Sequence, residues 1–392
     1  MEPPVSTPDD AGTSTELETV RPAGIVLRPR EAAEPAYTDA DYTIGLGTAA
    51  AIAEAGSANT RRSYGQKWRH YTAWCAEHGR VALPATPLTL IEYTRHLQET
   101  PVPRTPSARD LQPRSPTSIS ATVAAIRTAH TRAGYEGQPQ PTKELKDLLR
   151  GYRREWAEAG GRVQMRAPLA GDALEAVLAQ CAGEGAAAVR DRAMILTGVY
   201  GMLRGGDFSA FTIADLEEDD PYGVILHLRW SKTDQDAKGD LVKLPHDGCG
   251  GGTCPACCVK DWVALLAARG ITTGPLFRGT DRNGRISGEP KALGRKDSAL
   301  CQKSVDRRVR LLALKAGLKS PSSYGSHSLR AGGATAAALA GVAPSAIAEG
   351  GRWKPGSAQV MRYIRRVDWD NHPMKGIRTA WAAKKAAQEA GG

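Results

Sequence analysis

Apolar residues recur at helical spacing along much of this chain. From Ser57 to His78, the residues Tyr64, Trp68, Tyr71 and Cys75 fall at i, i+4, i+7 and i+11, which predicts an amphipathic helix capped by Ser57 or Asn59. Pro84 and Pro87 interrupt the pattern, and Leu88, Ile91, Tyr93 and Leu97 predict a second, shorter helix. Residues 100–116 hold five prolines with Arg104, Arg109 and Arg114, a basic loop. A third helix is predicted over Ser118–Ala133 and a fourth over Thr142–Trp156, where Leu145, Leu148, Leu149 and Tyr152 share one side.

Past this block the periodicity lapses over residues 158–168, which carry Arg162 and Arg166, and resumes at Leu169. Helices are predicted over Ala173–Cys181 and Val189–Tyr200. Val224, Leu226 and Leu228 then alternate with period two, as do Val242 and Leu244, which predicts adjacent strands joined by the polar stretch Ser231–Asp240. Further helices follow at Asp261–Ala268, Ser304–Ala316, Leu329–Gly341, Pro344–Gly350, Ser357–Arg366 and Thr379–Ala390. The expected architecture is mainly α: a disordered tail (residues 1–38), an all-helical block (39–157), a basic linker (158–168), a mixed α/β block with a small antiparallel sheet (169–375), and a C-terminal tail helix (376–392).

Composition narrows the function. With 392 residues the chain is long enough for two domains at roughly 100–200 residues each. No uninterrupted apolar run approaches the length of a membrane span, and the acidic N-terminus does not read as a signal peptide, so a soluble, cytoplasmic, nucleoid-associated protein with no membrane partner is expected. The formal net charge is +10, yet residues 1–40 hold eight acids and three bases, so the body of the chain is more basic than that figure. Such a body suits a polyanion, although a well-solvated surface has the same charge.

Four motifs in the second block converge on phosphate chemistry. Gly201-Met202-Leu203-Arg204-Gly205-Gly206-Asp207 follows a predicted helix. Ser231-Lys232-Thr233 leaves a strand, and His327-Ser328-Leu329-Arg330 opens an Ala-rich helix. Gly351-Arg352-Trp353 then precedes Tyr363. This ordered set resembles the tyrosine site-specific recombinases of the phage-integrase type. The ending is most similar to the Cre-like branch, with Trp353 where many relatives carry His. Asn59-Thr60-Arg61-Arg62-Ser63-Tyr64 and the helical block around it resemble the core-binding domain of that family.

The resemblance implies a DNA breaking and rejoining enzyme. Tyr363 would attack the scissile phosphate and hold the 3′ end as a phosphotyrosine, which conserves bond energy and requires no cofactor for catalysis. Arg204 and Arg330 suit a phosphate clamp, being planar, permanently charged and bidentate. His327 can donate to the phosphate or relay the phenol proton, with a second duty as helix cap. Lys232 can reach the leaving 5′ oxygen as general acid, with Lys238 and Lys243 as local rivals. Trp353 offers an N–H donor that cannot titrate, and Asp207 would orient its cationic neighbours. Tyr324 is a rival nucleophile, disfavoured by its place ahead of the His-x-x-Arg element.

The implied partners are double-stranded DNA carrying an inverted-repeat recombination site and further copies of the chain, a dimer on each site and a tetramer in synapsis. The two blocks would clamp the duplex, and the tail helix would make subunit contacts, docking in cis or in trans. Arg61, Arg62, Lys67, Arg69, Arg127, Arg162 and Arg166 are candidate DNA contacts, toward backbone more than bases. His246, Cys249, Cys254 and Cys257 give H-x2-C-x4-C-x2-C, enough ligands for a structural zinc, the alternative being a loop of reduced thiols. A type IB topoisomerase and a catalytically silent DNA-binding relative are the competing functions.

Overall fold

A computed structural model describes residues 38–48, 51, 57–103, 109–219, 221–231, 239–292, 299–364 and 376–390. The tail expected over residues 1–38 lies outside these except for Thr38, and Lys232 and Lys238 also lie outside them. The chain parts into two compact units, Met1–Gly65 and Gln66–Gly392. In the first, a 3-10 turn spans Asp39–Tyr42, and the Ser57 hydroxyl accepts from the Thr60 N–H at 3.2 Å as helix α1 (Ala58–Glu77) begins.

The helices that follow start at side-chain caps with proline just inside. Thr86 caps α2 (Pro87–Glu99), and Ser115 caps α3 (Pro116–Arg132), each accepting an N–H three residues on. Thr142 caps α4 (Lys143–Glu158) in the same way, without the proline. Tyr71, Trp74, Leu90, Tyr93, Leu97, Ile119, Val123, Ile126, Leu145 and Tyr152 form one apolar core. Within it His130 is fully buried, its Nε2 accepting from the Ala85 N–H at 2.9 Å while Nδ1 faces the Ile126 carbonyl. The proline-rich stretch expected as loop contains a short antiparallel pair, β1 (Val102–Pro103) with β2 (Leu111–Gln112).

A second core gathers around α6 (Ala186–Tyr200), which follows α5 (Asp172–Ala179). Residues Ala193 to Val199 of α6 are all buried, as are Arg190 and Asp191. Arg190 satisfies Asp191 at 2.6 Å, and Arg308 closes on the other carboxylate oxygen, so this internal charge is paired on both sides. An antiparallel meander, β3 (Leu216–Asp219), β4 (Gly223–Leu228) and β5 (Asp240–Pro245), turns Val224, Leu226, Leu228, Val242 and Leu244 into the same core. Helices α7 (Pro255–Ala268) and α8 (Gln302–Lys315) complete it.

Helix α9 (Ser326–Leu339) crosses α6 at very close range. A methyl group at Gly333 would run into the Val199 carbonyl oxygen, and one at Gly332 into that of Leu169. Glycine there lets α9 lie against neighbouring backbone. Beyond it, α10 (Pro344–Gly350) and α11 (Ala358–Ile364) form a third small core of Ala331, Ala334, Ile347, Ala348, Val360 and Tyr363. Helix α12 (Ile377–Ala390) has Trp381 70% exposed. Among the described residues no helix is long and apolar enough to cross a membrane.

Candidate active site

Tight backbone packing sets the site. Because α9 sits against the end of α6, Arg330, one turn into α9, meets the turn Gly201–Arg204 that ends α6. Its guanidinium donates through Nη1 to the Met202 carbonyl and through Nη2 to the Gly351 carbonyl at 2.5 Å. Its Cζ lies 3.8 Å from the Trp353 ring centroid, so the indole face covers the cation. Trp353 also neighbours Tyr363, with ring centroids 5.9 Å apart. The Tyr363 side chain is almost wholly buried, and its hydroxyl lies 2.9 Å from His327 Nε2.

Arg204 and Asp207 occupy the other side. The Arg204 backbone N–H donates to Asp207 Oδ2 at 2.9 Å, and Arg204 Nη2 donates to the Arg352 carbonyl at 3.3 Å. A third arginine, to which the sequence reading gave no role, completes the group. Arg352 Nη1 donates to the Gly201 carbonyl at 3.1 Å, while Nη2 lies 3.4 Å from the Met202 carbonyl and 3.6 Å from Asp207 Oδ2. Met202 and Arg352 both have positive φ, 44° and 55°, and their carbonyls accept from the Arg330 and Arg204 guanidinium groups. Arg204 Nη1 and Arg352 Nε are buried with no hydrogen-bond partner among the described residues. Three guanidinium groups therefore surround one buried carboxylate with donors to spare, an arrangement suited to an anion with several oxygens.

No family model matches the chain. A curated relative, the "Integrase/recombinase xerD homolog" of Selenomonas ruminantium, is 28% identical over 282 residues, 71% of this chain and 74% of the relative. By this likeness the chain is similar to the tyrosine recombinases. Solved structures are more distant. The XerH site-specific recombinase bound to palindromic difH substrate is 14% identical with a TM-score of 0.44, over 80% of this chain and 76% of that one. The Tn1549 transposon integrase in complex with transposon right end DNA is 12% identical with a TM-score of 0.47, over 81% and 92%.

Electrostatics in this site follow from burial and crowding of like charge. Burial, then Arg330 and Arg166, pushes the His327 imidazole below its ordinary value, although one side of the residue is open to solvent. A neutral His327 is thus favoured, able to accept at Nε2 from the Tyr363 hydroxyl. Burial raises the Tyr363 phenol, and Arg330 and Arg362 oppose it. Burial, then Arg204 and Arg352, disfavours the charge on Arg330, which arginine nonetheless keeps. Asp207 is raised by burial and held down by the Arg204 N–H and the surrounding arginines.

The remaining expected residues divide. His327 does not cap α9. Asp306 of α8 does so through the Ser326 N–H and hydroxyl, at 2.7 and 2.8 Å, and Ser328 Oγ accepts from the Gly325 N–H. Tyr324, the rival nucleophile, is buried in the main apolar core. Lys243 projects from β5 on the side opposite Val242 and Leu244. The face of Trp353 is engaged by Arg330, a contact the sequence reading did not foresee. Arg166 donates to the Ser322 carbonyl at 2.7 Å, close enough to act on His327. Arg62, Arg69 and Arg162 are exposed, Arg61 and Lys67 are half-buried on α1, and Arg127 buries its Nε.

Proposed function

We propose that this recombinase cuts and rejoins double-stranded DNA through Tyr363. The phenol oxygen attacks the scissile phosphorus, the bond to the 5′ oxygen breaks, and a 3′-phosphotyrosine forms. His327 takes the phenol proton. Arg204 and Arg330 hold the non-bridging oxygens, which gain charge in the transition state. Lys232 protonates the departing 5′ oxygen, and a 5′ hydroxyl attacking the phosphotyrosine reverses the steps. Trp353 and Asp207 position the arginines.

The observation that carries this reading is the 2.9 Å contact between the Tyr363 hydroxyl and His327, beside Arg204, whose buried Nη1 has no hydrogen-bond partner among the described residues. The separate apolar cores support two functional domains, a helical one over residues 39–157 that binds DNA backbone and one over 169–375 that performs the chemistry. Assembly is as a dimer on an inverted-repeat site and a tetramer in synapsis, with the exposed Trp381 on α12 toward another subunit.

A suicide substrate nicked beside the cleavage position tests the chemistry. An adduct that survives denaturant is expected from the native chain and none from Tyr363→Phe; an adduct retained by that variant refutes the assignment. Sedimentation of the DNA complexes counts protomers, and an assembly unaltered by Trp381→Ser refutes the role of the tail. Relaxation of supercoiled DNA without strand exchange would instead mark a topoisomerase.

A further inference from the structure

The loop after β5 brings four ligand atoms together away from the arginine site. His246 Nδ1 lies 3.3 Å from Cys249 Sγ, 3.6 Å from Cys254 Sγ and 3.7 Å from Cys257 Sγ. Cys249 Sγ is 3.6 Å from Cys254 Sγ and 3.7 Å from Cys257 Sγ, and all four atoms lie within 4.8 Å of one another. Zinc bonded to sulfur at about 2.3 Å and to nitrogen at about 2.0–2.1 Å in a tetrahedron sets its ligands roughly 3.5–3.8 Å apart. Most of these spacings match. They are far too long for disulfides, whose sulfurs are about 2.05 Å apart, and the four residues already surround a common centre.

Local sequence explains the convergence. Gly248 and Gly252, with φ of 67° and 69°, fold the loop back on itself in a conformation that side chains disfavour. Cys254 is the N-cap of α7, with Pro255 at the first helical position, and its sulfur accepts the Cys257 N–H at 3.5 Å. Such N–H donors fix the sulfur's direction. Cys258, next in sequence, points elsewhere and donates to the Gly252 carbonyl at 3.3 Å. Only four of the five clustered side chains therefore converge, which is the number a closed tetrahedral site takes.

We propose that His246 Nδ1 and the thiolates of Cys249, Cys254 and Cys257 bind a structural zinc ion that clamps the end of β5 to the start of α7. Three thiol protons pass to solvent on binding, and nothing is oxidised or reduced. With four protein ligands no position remains for a substrate, so the ion is structural. The clamp also reaches the arginine site. Asp247, between two ligands, accepts a 2.5 Å hydrogen bond from the Tyr200 hydroxyl at the end of α6, four residues before Arg204. At its other end β5 begins with Asp240, 3.9 Å from Arg352 Nε.

The test uses the full chain purified under reducing conditions without added metal. Elemental analysis is expected to find one zinc per chain. Cys249→Ser, the most exposed ligand, and the Cys249→Ser/Cys257→Ser double variant are expected to lose it. Cys301→Ser, an exposed cysteine outside the cluster, is expected to keep it. Because a ligand variant could misfold, the native chain is also stripped and titrated with cobalt(II). Absorption of a tetrahedral thiolate complex, saturating at one equivalent and displaced by zinc, is expected. A folded, metal-free chain that gives no such absorption, full zinc in the double variant, or a Cys249–Cys254 disulfide in freshly isolated protein would each overturn the proposal. Zinc content is independent of DNA cleavage: Tyr363→Phe must retain the metal, so failure here leaves the Tyr363 chemistry to its own assay.

Discussion

Replacing Arg352 by Met would remove a cation that holds the arginine site together while keeping the stem's apolar volume. The lost interactions are a 3.1 Å bond to the Gly201 carbonyl, a longer one to Met202 at 3.4 Å and the approach to Asp207 at 3.6 Å. Hydrogen bonds from a charged donor contribute about 1.5–3 kcal/mol each, and the longer contact belongs at the low end. Met202 keeps its bond from Arg330 and Asp207 keeps the Arg204 N–H, so neither is orphaned. Relief from burying a guanidinium, and from its repulsion of Arg330, offsets part of the loss. The balance is a destabilisation of about 2–4 kcal/mol, toward the upper range for a single substitution. Thermal unfolding should show it, with a fall in Tm of roughly 5–12 °C. Adduct formation should slow on the order of tenfold or more, because Arg204 is held by the carbonyl of this same residue and a small misplacement is costly. A double-mutant cycle with Asp207→Asn separates the ionic contribution, with a coupling of about 0.5–3 kcal/mol expected. A variant with unchanged Tm and adduct rate, or strict additivity with Asp207→Asn, would refute the reasoning.

Two further predictions concern His327 and the α6–α9 crossing. At subsaturating DNA, adduct formation should rise with pH and level off below His327's ordinary value of about 6.5, because burial and Arg330 favour the neutral base. The same depressed value makes its contribution to stability present above about pH 6.5 and lost as pH falls through the folded value. His327→Gln should flatten both profiles, and a pH limb that persists in it would count against the assignment. Gly333→Ala should destabilise by about 1–3 kcal/mol, since its methyl meets the Val199 carbonyl, and should weaken adduct formation as Arg330 shifts; unchanged melting would show that the helices do not pack this closely.

The periodic segments were legible from sequence because each element buries one face. Boundaries set by distant partners were not. Helix α9 was expected from Leu329 and begins at Ser326, because its cap is Asp306, twenty residues away on α8. Helix α7 was expected from Asp261 and begins at Pro255, because Cys254 serves as cap where Ser, Thr, Asn or Asp is the usual signal. Strand β3 went unseen, since Leu216-Glu217-Glu218-Asp219 pairs along a sheet edge with its acids toward solvent and shows no apolar alternation. The proline-rich hairpin was hidden by residues that ordinarily signal loops. At the site, Arg204, His327, Arg330 and Tyr363, singled out through the resemblance to the tyrosine recombinases, lie near one another. Arg352 was not singled out, because its partners are backbone carbonyls some 150 positions away, which no local pattern encodes.

The Tyr363–His327 contact is made within a single chain, across the 36 positions that separate α9 from α11. As the proposed nucleophile, Tyr363 would belong to the same protomer as the arginines beside it. Each subunit in an assembly would then carry its own complete cutting head, and a defect in one would silence that subunit alone. Under the proposed function, control over which strand is cut would act on whether a head is armed, and not on which neighbour lends it a tyrosine.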